Sequence, residues 1–422
     1  MSAAVDVAPL LLPYRDRDRD RDTGSSNEIQ SLVPSVPSNG PGASTPSQRL
    51  ASLDVFRGLT VALMILVDDA GGAFPSINHS PWFGITLADF VMPFFLFLVG
   101  VSISLAFKKI SNKTTATKKV MLRAINLFLL GLLLQGGYFH GRNHLTYGVD
   151  VGKIRWLVPT WEYEAPSMNL SGFASGTQIV YCGVRGSLEP PCNAVGFIDR
   201  VILGEHHLYQ HPVYRRTKEC SVKSPDYGPL PPNSPQWCLA PFDPEGILSS
   251  LMAAVTCFVG LHFGHILLHF KDPKQRVLLW SMSAVPLLVF GYVLVILGIP
   301  SCKPLYTVSY ACITAGVSGL ILSIIFYIVD VKHFRKPTVL LQWMGMNALL
   351  IYALGACDLF SAGLQGFYWR SPENNLVDGT EALLQAMLHS KNWGTLAFVI
   401  LEILFWGLVS GFLHMKSLYI RL

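Results

Sequence analysis

Eight long apolar stretches punctuate the chain, near residues 51–70, 84–107, 118–139, 246–270, 276–299, 306–329, 337–362 and 393–414. Each approaches or exceeds the roughly 20 residues that a helix needs to cross the hydrocarbon core of a bilayer, and runs of that length favour helix over strand. The pattern predicts an all-α polytopic membrane protein of about eight transmembrane helices. Its connections carry an alternating charge signal. Basic residues gather at 108–123 (Lys108, Lys109, Lys113, Lys118, Lys119, Arg123), at 271–276 (Lys271, Lys274, Arg276), at 332–336 (Lys332, Arg335, Lys336) and at the tail (Lys416, Arg421). With eight spans these segments fall on one side together with the N-terminus, so the positive-inside rule puts both termini in the cytoplasm.

The segments between and around the spans differ in kind. Residues 1–49 mix Pro, Ser and Gly with an alternating Arg/Asp run from Arg15 to Asp22, a composition too poor in apolar surface to fold, and read as a disordered cytoplasmic tail. No apolar h-region precedes a small-residue cleavage site, so no signal peptide is expected. Asp6-Val-Ala-Pro-Leu10-Leu11 has the spacing of an acidic dileucine sorting signal, a string that also arises by chance. Residues 50–415 make up the membrane domain and 416–422 a short cytoplasmic tail. Within the domain, the stretch 140–245 forms one long loop on the lumenal or extracellular side. Four of the eight cysteines (Cys182, Cys192, Cys220, Cys238) crowd into it beside a sequon at Asn169-Leu-Ser171, as an oxidising compartment permits. Two disulfides are expected there, with three connectivities open. The sequon Asn112-Lys-Thr114 falls on the cytoplasmic side and should be silent.

Composition agrees with the pattern. Charged residues are 14% of the 422 and hydrophobic residues 51%, whereas a soluble domain carries roughly 25% charge. A net charge of +5, dispersed along the chain, gives no reason to expect a nucleic-acid partner. No Walker A loop, dinucleotide fingerprint or Gly-x-Ser-x-Gly elbow is found.

Polar residues in or beside spans are costly and therefore candidates for function. Asp68 and Asp69 end the first span, His79 follows in a short connection, and Asp89 opens the second span ahead of Pro93. All four cluster at one membrane face. A histidine among carboxylates can serve as general base or nucleophile, with an acid orienting the ring; an ordinary histidine in a helical hairpin has the same spacing. Arg57 lies eleven residues before Asp68, about 16 Å along a helix rising ~1.5 Å per residue. There it could meet a nucleotide phosphate on the cytoplasmic side, or pair with Asp54 three positions earlier. His262, His265 and His269 share a face of the fourth span, but no carboxylate or cysteine joins them, and no metal site is expected. Asn347 and Tyr352 read as interhelical hydrogen-bond partners.

The segments Arg49-Leu-Ala-Ser-Leu-Asp54-Val-Phe-Arg57-Gly58, Asn78-His79-Ser80-Pro81-Trp82 and Leu87-Ala-Asp89-Phe-Val-Met-Pro93 resemble the heparan-α-glucosaminide N-acetyltransferase family. The similarity resumes at Cys192–Arg200, Gly204–Tyr209 and Pro241–Gly246, and continues through Val331 and Gly345-Met-Asn347. It covers most of 49–415, and the cysteine-rich loop looks most like plant members. The resemblance implies acetyl-CoA as donor on the cytoplasmic side, a glucosamine-type amino sugar or glycan as acceptor on the lumenal side, and a lysosomal or vacuolar membrane. The family's catalytic histidine maps onto His79. Mammalian members have Asn at the position of Asp68, and a carboxylate there is expected to raise the His79 pKa and move the pH optimum upward. Two features depart from the family pattern. Lys153-Ile-Arg155 runs almost directly into Val158-Pro-Thr-Trp161-Glu-Tyr163, where members carry two more helices, and Asn78-His79-Ser80 is itself a sequon. The reading allows a homodimer, a different acceptor, or a transporter-like or inactive membrane protein.

Overall fold

The computed structural model describes residues 50–107, 113–134, 187–190, 192–204, 208–209, 212–356, 359–371 and 374–419. Expectations for the N-terminal tail, Cys182, the 153–163 junction and the Asn169 sequon lie outside these residues. The described residues form α-helices: α1 (Ala51–Ala70), α2 (Ala88–Phe107), α3 (Lys113–Leu134), α4 (Ala194–Leu203), α5 (Ile247–His269), α6 (Pro273–Ile296), α7 (Val308–Phe326), α8 (Val339–Met346), α9 (Ala348–Ile351), α10 (Leu359–Gln365), α11 (Leu376–Met387) and α12 (Lys391–Met415). Among them the β-pairing is one isolated bridge, Tyr368 to Asn375. The protein is an all-α polytopic membrane protein.

Helices α2, α5, α6, α7 with its extension to Val331, and α12 are each long and apolar enough to cross a bilayer. α1 and α3 have the length, 20 and 22 residues, but carry charges: Asp54, Arg57, Asp68 and Asp69 on the first, Lys113, Lys118, Lys119 and Arg123 on the second. The middle of α1 is nevertheless almost wholly buried, because α2, α7, α8 and α12 pack around it. Its charges sit towards its ends, where they cost least. α6 is the opposite case. Its Leu278, Met282, Val289 and Ile296 all point outwards, which is the expected face of a helix solvated by lipid.

The expected straight span over 337–362 is broken. Lys336–Met346 and Ala348–Gly355 meet at an angle of 72°. The break falls at Asn347, fully buried with φ −117° and ψ 30°, outside the helical region. Beyond it the chain winds through α9 and a π-helical turn, Tyr352–Ala356. An apolar run reports that its surroundings are dry, not that its axis is straight. Two stretches read as irregular connections are also helical: α4 within the long loop, and the amphipathic α11.

The bundle has two apolar centres. Phe56, Phe94, Phe97, Phe263, Trp280 and Phe326 fill one, with Phe97 and Phe263 edge to face at 5.1 Å between centroids. Ile65, Met344, Ile351, Val399 and Trp406 fill the other. Contacts at the helix ends establish which connections share a face. His79, Leu188, Lys303 and Trp393 all meet the α1–α2 connection on one face. On the opposite face the Ser52 amide donates to Asp330 at 3.2 Å, and Trp343 stacks on His414. The basic segments at 271–276 and 332–336 lie at that opposite face.

Candidate active site

The connection between α1 and α2 is short enough to be held by its own backbone. Ile77 and Asn78 donate to the Phe74 carbonyl at 2.9 and 3.1 Å, and Ala88 donates to Ile77 at 3.1 Å. The Asn78 side-chain Oδ1 accepts the His79 amide at 2.8 Å. Asp89, the second residue of α2, is fully buried and braces the loop from inside. Its Oδ2 accepts from the Thr86 amide (3.0 Å), the Thr86 hydroxyl (2.9 Å) and the Ser80 amide (3.3 Å). Its Oδ1 is left to face His79 Nδ1 at 2.8 Å. The Tyr310 hydroxyl from α7 donates to the Asp89 carbonyl at 2.5 Å and fixes the helix end.

An ionised carboxylate can only accept, so this contact assigns the imidazole proton to Nδ1 and leaves the Nε2 lone pair available. That is the arrangement needed by a general base or a nitrogen nucleophile. The side chain is 29% exposed, so a reactant can reach it. Removal from water is the largest influence on the ring and holds its pKa below the ordinary 6.5, followed by the Lys303 charge; Asp89 pulls upwards and Arg216 adds a smaller downward push.

Lys303 arrives from the connection between α6 and α7. Its Nζ lies 3.2 Å from Nδ1 and 3.4 Å from Nε2. Beside it opens a small cleft of about 10 Å³, lined by Met92, Glu245, Ser249, Lys303 and Tyr306 among others.

A cap covers this face. Trp82 donates from its indole to the Leu188 carbonyl at 3.0 Å and meets Phe242 and Tyr214 edge to face at 5.3 and 5.7 Å. The Tyr214 hydroxyl bonds the Ala240 carbonyl, burial pushes its pKa up, and Arg215 Nε donates to Cys238 at 3.0 Å. Cys220 and Cys238 are joined by a disulfide, with 5.5 Å between Cα atoms, and Cys192 is disulfide-bonded as well.

Residues 49–146 match the family described as heparan-alpha-glucosaminide N-acetyltransferase, catalytic. That stretch contains His79 and Asp89 and the loop that joins them. Two curated proteins named heparan-alpha-glucosaminide N-acetyltransferase are similar beyond it. The one from Mus musculus is 26% identical over 423 residues, 85% of this chain and 60% of its own length. The one from Homo sapiens is 26% identical over 414 residues, 83% of this chain and 58% of its own length. Along most of its length the chain is similar to heparan-alpha-glucosaminide N-acetyltransferases. It spans about three-fifths of the length of these curated relatives.

Of the residues singled out in the sequence, the structure joins His79 to Asp89. Asp68 is exposed and Asp69 half-buried, both at the end of α1 nearest the site. Lys303, Asp89 and Arg216 are the charges with the largest effect on His79. Arg57 stands at the far end of α1, its guanidinium 3.1 Å from Asp54 and 3.2 Å from the Ser102 hydroxyl. In α5, His262 faces the Ser283 hydroxyl at 3.4 Å and His269 the His265 carbonyl at 2.9 Å.

Lys303 and Arg216 were missed, because proximity across 224 positions leaves no trace in spacing. Lys303 did carry a signal: a lysine in a short connection on the face opposite the basic segments.

Proposed function

We propose that this chain moves an acetyl group from acetyl-CoA to the amine of a glucosamine-type amino sugar, with His79 at the point of transfer. The observation that carries the reading is the buried Asp89 carboxylate holding Nδ1 at 2.8 Å, which puts the ring proton on Nδ1 and the lone pair on Nε2. Support also comes from the relatives' shared name and from the family match over 49–146. Acetyl-CoA is too charged to cross a bilayer, so the donor stays on the cytoplasmic side, where the basic segments put both termini. Arg57 stands at that end of α1 and is the candidate for a nucleotide phosphate. The acceptor arrives on the His79 face, in the lumen of a lysosome or vacuole.

Two routes use the same geometry. In one, Nε2 forms a bond to the acetyl carbon as the carbon–sulfur bond breaks, and the amine then displaces the imidazole. In the other, Nε2 takes the proton from the amine as its nitrogen forms the new carbon–nitrogen bond. Asp89 orients the ring in both and balances the positive charge that forms on it. Asp68 and Asp69 stand at the end of α1 nearest the site and complete its acidic rim.

The test is transfer of radiolabelled acetyl from acetyl-CoA to glucosamine by purified protein. Label transfer that is lost in His79→Ala, with CoA binding kept, is the expected result. Transfer that survives His79→Ala overturns the role of His79. Failure of the parent to transfer label or bind CoA makes the chain a scaffold of the same fold.

A further inference from the structure

The connection between α6 and α7 is far more constrained than its length requires. Gly84 of the His79 loop donates to the Ser301 carbonyl at 2.9 Å, and Ser249 of α5 donates to the Pro304 carbonyl at 2.8 Å. The Thr307 hydroxyl donates to the Pro300 carbonyl at 3.0 Å and accepts the Cys302 amide at 3.1 Å. Tyr306 donates its amide to the Lys303 carbonyl at 2.9 Å and takes φ +46°, a left-handed conformation unfavourable for a bulky residue. Its hydroxyl meets Thr256 of α5 at 2.9 Å. The strap is thus fastened to the His79 loop and to α5, and the residue it presents is Lys303.

The position of Nζ is informative. It lies nearly equidistant from the two ring nitrogens, 3.2 and 3.4 Å. A hydrogen bond to the Nε2 lone pair would bring it close to Nε2 and leave it well away from Nδ1. The ammonium therefore stands against both ring nitrogens and acts on the ring as a charge. It also lines the cleft beside the ring.

We propose that Lys303 is a catalytic residue of the acetyl transfer, holding its ammonium where the acetyl oxygen becomes negative. The proposal rests on the reading of His79 given above. Whether His79 Nε2 or the acceptor amine forms the new bond to the acetyl carbon, the carbonyl π pair moves onto the same oxygen. It returns to re-form the carbonyl as the carbon–sulfur bond breaks, and the thiolate leaves with the electron pair of the broken bond. An ammonium within 3.4 Å of Nε2 meets an oxygen that develops there, with no reorganisation needed at the moment of reaction. The same charge keeps the imidazole neutral and therefore reactive. The other charged groups acting on the ring are Asp89 from α2 and Arg216 from the cap. Burial raises the pKa of both Cys302 and Tyr306 to about 12, so the strap beside Lys303 brings no second charge.

The experiment compares the parent, Lys303→Met and Lys303→Arg as purified full-length protein. It follows labelled acetyl transfer to glucosamine against pH, CoA binding, and the titration of His79 by NMR of histidine-labelled protein. Lys303→Met is expected to lower kcat by about 10²–10³-fold with KM little changed, as loss of one oxyanion donor does. Lys303→Arg should recover much of the loss. The His79 midpoint, and with it the acid limb of the rate profile, should move to higher pH in Lys303→Met, because a positive neighbour has been removed from a group that must be neutral to react. A Lys303→Met protein with the parent's kcat and the parent's His79 midpoint overturns the proposal while leaving acetyl transfer intact. A parent that transfers no label removes the catalytic role together with the reading it rests on.

Discussion

At the scale of single residues, the informative atom is Asp89 Oδ2. Three donors converge on it, two of them backbone amides that cannot turn away. In Asp89→Asn the amide oxygen must take that position, which turns its NH₂ group towards His79 Nδ1. The imidazole is then driven to the other tautomer, with its proton on Nε2. The variant should fold normally and lose kcat by about 10⁴-fold, the scale set by a wrong tautomer in a histidine–carboxylate pair. Steady-state kinetics with circular dichroism checks both halves. Asp68 is exposed at the end of α1 and should behave differently. Asp68→Asn is expected to move the acid limb of the rate profile by less than Lys303→Met does. Both carboxylates are visible as candidates in the sequence; their ranking comes from which one is buried.

At the scale of elements, glycines set how closely the helices cross. A Cβ on Gly58 of α1 would overlap the Leu341 carbonyl oxygen, and one on Gly345 of α8 would overlap that of Asp54. The same reciprocity joins Gly100 of α2 to Cys257 and Gly260 of α5 to Phe97. Helices in lipid gain little from hydrophobic attraction to one another and rely on such backbone approach. The α1–α2 pair carries the His79 loop, and these crossings locate α1 and α2. Gly58→Ala or Gly100→Ala should destabilise the protein by about 1–3 kcal/mol, the usual cost of overpacking. Gly363 in α10 has open space around it, and Gly363→Ala should stabilise by up to about 1 kcal/mol through helix propensity alone. Thermal unfolding in detergent, followed by size exclusion, separates the two outcomes. A glycine that is merely helical and one that is a crossing point look alike in sequence.

At the scale of the whole molecule, the cap links the disulfide to the chemistry. Cys220 and Cys238, 18 positions apart, lie in the apolar cluster that also holds Trp82, Tyr214 and Phe242. Trp82 stands three residues from His79. A loop of that size contributes about 3 kcal/mol when closed. The double variant Cys220→Ser/Cys238→Ser should therefore lose thermal stability and transfer activity together. A variant with full activity and an unchanged melting curve would separate the cap from the site.

The sequence by itself determined the membrane architecture, the alternation of basic and non-basic connections, and His79 with Asp68, Asp69 and Asp89 as one candidate cluster. These features are local: run length, composition and a spacing of ten residues survive being written in one dimension. The tertiary structure decided what depends on distant segments meeting. It broke the 337–362 span at Asn347, where α8 is held against α1 by mutual glycines. It set Asp89 inside and Asp68 outside, although both flank the same loop. It also brought Lys303 across 224 positions to the ring of His79. Hydrophobic pattern records which residues leave water; it does not record which of them then become neighbours, because that is fixed by packing between elements.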